Sequence, residues 1–189
     1  ADNMLDAPFY KKSQVAEKYN ELTLTFNTHK LTFRVYDAGV AYRFESLKKG
    51  DYQVVSEEAD FAFPADWNAW VPYVRTSKHC KDYPYFNSFE NLYQYCSVSA
   101  WDKQRNAFLP VMFTSPCGYK VNIMESDLLN YPGMFLSNTD GDFSVEAKFA
   151  PYPKVVEQGG HNKLQGLPRE SEPYIAKCSG QTSFPWRII

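Results

Sequence analysis

The chain has 189 residues, 44% of them hydrophobic and 17% aromatic, with 20 Lys and Arg against 22 Asp and Glu for a net charge of −2. That composition excludes a disordered chain and offers no charge excess to steer toward nucleic acid or an anionic membrane. The length allows one sizeable core and is too short for two comfortable domains, and no apolar run approaches the roughly 20 residues of a membrane-spanning helix.

The first clear elements are three period-2 segments: "NELTLTF" (20–26), "KLTFRVY" (30–36) and "VAYRF" (40–44). Each alternates apolar and polar residues, so each has one face for a core, and their close spacing predicts an antiparallel meander. In "FRVYDAGVAYRF" the loop Asp37-Ala38-Gly39 joins two of them, and Gly39 is expected to supply a positive φ to a short hairpin turn. The charged face of that hairpin, Arg34 with Arg43 and Glu45, is expected to pair across strands as scaffold and is assigned no site. "YQVVSEEADFAF" continues the strand pattern up to Pro64.

From Pro64 to about Asn91 the alternation stops, and Trp67, Trp70, Pro72, Pro84 and several tyrosines read as a long irregular segment. Such a segment in a compact domain either covers a core or carries function. Strands resume at "FLPVMFTS", "YKVNIMES" and "DFSVEAKFAP", with Asp140-Gly141-Asp142 as a hairpin turn. "PKVVEQGGHNKLQGLPRESEP" is polar and rich in Gly and Pro, and reads as an exposed loop before the closing "SFPWRII". With no repeat and no long amphipathic helix, the class is all-β, a sandwich.

The four cysteines, Cys80, Cys96, Cys117 and Cys178, form no C-x-x-C pair, which argues against a structural zinc. Cys80 with Cys96 would close a short loop, and free buried thiols account for the four equally well. His29, His79 and His161 are scattered and read as surface histidines. No nucleophile elbow, phosphate-binding glycine loop, zinc-protease helix motif or EF-hand loop is present.

Glu125 stands out. Tyr119, Val121 and Ile123 form one face of a strand, and period 2 continues that apolar face to Glu125. An inward carboxylate is costly without a cation or donors. Either the strand ends there or Glu125 meets a metal or an arginine, with calcium the natural hard cation for oxygen ligands. The aromatics Trp67, Trp70, Tyr73, Tyr83, Tyr85 and Phe86, interleaved with Asn87, Glu90 and Asn91, suit a sugar, which takes ring stacking with directional hydrogen bonds. They suit a surface against another domain equally well.

The order of "YNELTLTF", "FRVYDAGVAYRF", "SEEADFAF", "NSFENLY", "VNIMESDLLNYPGMFL", "KFAPYP" and "FPWRII" resembles the N-terminal domain of glycoside hydrolase family 97, bacterial α-glucosidases and α-galactosidases, from about Tyr19 to Ile189. The resemblance implies an antiparallel β-super-sandwich of galactose-mutarotase-like shape, lacking the first strands of the family's domain, with residues 1–189 a fragment of a larger glycosidase. The catalytic (β/α)8 barrel, typically about 250 residues, is then absent from this chain. The implied role is accessory: shaping the active site and supplying a calcium ligand, Glu125, to the barrel in the intact enzyme, with no turnover alone and no calcium held by the fragment. "IMESDLLNY" departs from the family's E-A-x-L-x-D-Y pattern at Ser126 and Asn130. The implied partners are the barrel of the same parent chain and an α-linked saccharide, and the implied location is the periplasm or another exported compartment. Trp67, Trp70, Asn87 and Glu90 are the expected carbohydrate- or barrel-facing residues. An autonomous carbohydrate-binding or protein-docking module is the alternative.

Overall fold

A computed structural model describes residues 1–75, 84–85 and 91–189. His79, Cys80, Tyr83, Phe86, Asn87 and Glu90 lie outside the described residues, so the expectations placed on them are outside it too.

Among the described residues the chain forms strands and two short 3-10 turns, with no α-helix. In chain order the strands are β1 (Asp2–Asp6), β2 (Gln14–Lys18), β3 (Asn20–Thr25), β4 (His29–Tyr36), β5 (Gly39–Ser46), β6 (Asp51–Val54), β7 (Asp60–Ala62), β8 (Asn68–Val71) and β9 (Gln94–Ser97). They continue as β10 (Val111–Thr114), β11 (Lys120–Ser126), β12 (Met134–Ser137), β13 (Ser144–Phe149), β14 (Pro153–Gly159), β15 (Gln165–Ser171), β16 (Ala176–Ser179), β17 (Thr182–Ser183) and β18 (Trp186–Ile188).

One nine-stranded antiparallel sheet dominates, in the order β3-β4-β5-β18-β11-β10-β8-β9, with β17 also paired to β5. The meander read from the sequence is its first third: Leu22 pairs with Phe33 and Phe33 with Tyr42, which keeps the apolar residues of three strands on one face. A three-stranded sheet, β12-β13-β7, lies opposite. Ala69, Val71, Val111, Phe113 and Ile123 from the long sheet pack with Met134, Leu136, Val145 and Phe149 from the short one into a single core. Those inward positions fall two residues apart on β8, β10 and β12 and four apart on β13, the even spacings that a pleated strand gives to one face. Away from this core the meander's apolar face is less covered, and Leu22, Leu24 and Val35 are exposed.

Several expectations change. Gly39 is not among the positive-φ residues. Its smallness serves close approach instead: a Cβ there would sit 2.4 Å from the backbone oxygen of Ile189, whose strand pairs with this end of β5. Arg34 pairs with Glu21 on β3 at 2.8 Å, and Arg43 pairs with Asp127, so the hairpin's charges reach other segments rather than one another. Residues 153–173 are not an open loop: β14 and β15 form a two-stranded ribbon, exposed on both faces and laced by Arg169–Glu157 and Lys154–Glu170 pairs. The Asp140-Gly141-Asp142 turn is confirmed, with the buried Asn138 side chain accepting from Gly141 N and donating to Val98 O and Asp142 O.

A buried glutamate–arginine–glutamate cluster and an exposed aromatic pair

Glu125 lies on β11, one residue before its end, and its side chain is 15% exposed. Period 2 aims it inward with its neighbour Ile123, which is fully buried, whereas Tyr119, two steps the other way, is exposed. What it meets is an arginine. Arg187 Nη1 donates to Glu125 Oε2 at 2.7 Å. The other side of the same guanidinium grips Glu57, Nε to Oε1 and Nη2 to Oε2, each at 2.8 Å. Arg187 is 2% exposed, and the Phe149 ring centroid lies 5.2 Å from its Cζ. Two carboxylates thus surround one buried cation, a fork geometry that the planar guanidinium fits and a point charge does not.

The remaining capacity of Glu125 is turned toward the backbone: Met134 N donates to Oε2 at 3.0 Å and Oε1 at 3.2 Å. Gly133 permits that approach, because a Cβ there would lie 3.2 Å from Oε1. Burial pushes the Glu125 carboxyl above its ordinary range, opposed by the Met134 hydrogen bond and the Arg187 charge. Burial, reinforced by the neighbouring Glu57 carboxylate, likewise pushes the Tyr131 phenol far above its ordinary value.

The calcium expected at Glu125 does not fit these residues. Calcium takes 6–8 oxygen ligands, whereas the Glu125 carboxylate is engaged by a guanidinium and an amide N–H, both positive in character. No group of three or more His, Cys, Asp or Glu side chains among the described residues could hold a metal ion.

The aromatic residues divide. Trp67 is half-buried against the core, with its ring 5.0 Å from that of Phe63. It is held there by its neighbours: Val98 N donates to Trp67 O at 2.8 Å, while Asp66 accepts from Ser99 N at 3.0 Å and Ser99 Oγ at 2.5 Å. Tyr73 is buried, its hydroxyl oxygen accepting from Asp102 N at 2.9 Å and its ring set edgewise to that of Trp101. Trp70 differs. It is 41% exposed, and it stands in register with Met112 on one side and Tyr95 on the other, on the face of the long sheet opposite the core. Tyr95 is 54% exposed and its ring lies 4.9 Å from that of Trp70. Cys96, Cys117 and Cys178 are free thiols among the described residues.

Sequence periodicity found Glu125 but missed Glu57 and Arg187. The available signal was an arginine inside the apolar "FPWRII", flanked by Trp186 and Ile188, which period 2 places on the opposite face.

The geometry so far defines an antiparallel β-sandwich with a buried ion cluster and an exposed aromatic pair on its long sheet. The family model for the glycosyl-hydrolase 97 N-terminal domain matches residues 1–189, and the chain belongs to that family. A retaining alpha-galactosidase of Bacteroides thetaiotaomicron is 47% identical over 190 residues, which cover 99% of this chain and 28% of that protein. Among solved structures, a glycoside hydrolase family 97 enzyme from Pseudoalteromonas sp. strain K8, in complex with acarbose, superposes with a TM-score of 0.71 at 18% identity, covering all of this chain and 26% of that one. A beta-arabinopyranosidase gives a TM-score of 0.74 at 20% identity over all of this chain and 30% of its own. These structural likenesses speak to the fold. The chain spans little more than a quarter of the curated relative it matches.

Proposed function

We propose that this chain is the non-catalytic N-terminal domain of an exported, periplasmic α-glycosidase, packing against a catalytic barrel and helping to shape its substrate pocket. The observation that carries this is the 47% identity to an alpha-galactosidase over nearly the whole of this chain but 28% of that protein. An α-linked galactoside is accordingly the substrate class proposed for the longer enzyme. The surface proposed to meet the barrel is the outer face of β8 and β9, where Trp70 and Tyr95 present an aromatic patch beside Met112. Clustered exposed aromatics on an otherwise polar surface mark interaction sites.

The chain's own chemistry supports a non-catalytic role. Glycoside hydrolysis needs a pair of carboxyl groups flanking the scissile bond. Glu57 and Glu125 both grip the Arg187 guanidinium, so neither is placed to attack or protonate a substrate. Calcium at Glu125 is not carried into this reading.

Pure 189-residue chain should give no turnover of nitrophenyl α-galactoside or α-glucoside, and measurable hydrolysis that survives repurification would overturn the reading. Sequencing the gene past the Ile189 codon tests the other half: an in-frame barrel supports it, and a stop codon there sinks it. A second reading, an autonomous carbohydrate-binding module, is favoured by the exposed Trp70–Tyr95 pair. It requires retardation of the chain in gels containing α-galactan or starch, lost in Trp70→Ala.

A further inference from the structure

We infer that Arg187 is the resident cation of the Glu125 site, and that with Trp186 it locks the last strand into the middle of the long sheet, so that Glu125 is an arginine partner and not a calcium ligand. The inference stands on this chain's own contacts and holds whether or not the accessory-domain reading does.

Three segments far apart in sequence meet at the guanidinium. Glu57, between β6 and β7, is 130 residues from Arg187, and Glu125 on β11 is 62 residues away. All three guanidinium nitrogens are used, each on a carboxylate oxygen. A dication beside Glu125 would have to displace Nη1 from 2.7 Å or share a carboxylate with a like charge, in a site that water barely reaches. Losing one partner would also strand a buried charge, which is why such clusters resist exchange once formed.

The other face of the same strand is gripped as firmly. Trp186 lies between two guanidinium groups, with Arg34 Cζ 4.8 Å and Arg43 Cζ 4.6 Å from its ring centroid. Arg34 also stacks on Tyr19 at 4.4 Å, and Arg43 Nε donates to Phe184 O at 3.1 Å. Strand β18 has only three residues. Its backbone pairs with β5 on one side and β11 on the other, and its side chains are held by guanidinium contacts above and below.

Two measurements test the assignment, calcium binding by the longer, barrel-containing enzyme and thermal unfolding of the 189-residue chain. In calcium titration calorimetry of the longer enzyme, wild type and Glu125→Gln should give the same calcium affinity, because Glu125 is held by Arg187 and not by the metal. In thermal unfolding, Arg187→Lys should lower the midpoint by about 5–10 °C, because lysine offers one point charge where two forks must be satisfied. Arg169→Lys, which alters an exposed pair, should stay within about 1 °C. Saturable calcium binding by wild type that weakens tenfold or more in Glu125→Gln would overturn the inference, as would an Arg187→Lys midpoint as mild as that of Arg169→Lys. If Arg187→Lys yields no folded protein, Glu57→Gln is read against the same exposed control, with the same two outcomes.

Discussion

Asp66 shows how much a single carboxylate can organise. It satisfies the backbone N–H and the hydroxyl of Ser99 at the 3-10 turn Val98–Ala100, and these hydrogen bonds hold its carboxyl below the ordinary range. Because the folded pKa is depressed, this stabilisation is present above the unfolded value near 3.8 and is lost as pH falls through the folded one. Asp66→Ala should therefore cost about 1 kcal/mol at pH 7, the low end for hydrogen bonds to a charged group because solvent reaches this one. Urea unfolding at several pH values checks it: the gap between wild type and variant should close below pH 3.8. A gap that persists unchanged to pH 2.5 would mean that lost packing, not the charge, sets the cost. At the same scale, the inward aim of Glu125 was legible, since alternation along 119–125 needs no knowledge of partners. Its partner was not, because the signal for Arg187 depends on a pairing 62 residues away.

Among elements, legibility followed alternation. Strands β3, β4 and β5 alternate apolar and polar residues cleanly, and they were read within a residue or two of their bounds, although β3 is exposed along its whole length. Strand β12 is Met-Phe-Leu-Ser with every position buried, so it has no polar face to announce it. Strands β14 and β15 failed for the opposite reason, having almost no buried position. Strand β8 was hidden by its four residues and by the aromatic, proline-bounded segment around it. Gly39 was singled out correctly but for the wrong reason, since the constraint is steric and comes from the far end of the chain. Gly39→Ala should cost about 1–3 kcal/mol, the scale of forced overlap in a packed structure. Hydrogen exchange should localise that loss to the amides of Val40 and Ile189, which bond each other's carbonyls at 2.8 Å. Protection unchanged at both would show that the strands part without strain.

For the molecule as a whole, the super-sandwich expected from the resemblance is present, and its asymmetry is the informative part: a long sheet covered on one face by a short one. The core between them rests on a few large side chains. Phe113, fully buried and 4.6 Å from the Phe63 ring, is central to it, and Phe113→Ala should cost about 3–5 kcal/mol by chemical denaturation. Trp70→Ala, on the opposite face of the same sheet, should leave the stability of this chain within about 0.5 kcal/mol. The position of β18 carries a further consequence, for the order of events during synthesis. It is the sole bridge between β3-β4-β5 and β11-β10-β8-β9 in the described sheet, and it is the last of these strands to be synthesised. Until the ribosome releases Trp186 to Ile188, β5 and β11 each present a naked edge. Unpaired edges of that kind recruit other chains. A nascent chain stalled a few codons early therefore has two half-sheets seeking a partner, and three residues decide whether they find it within the same molecule.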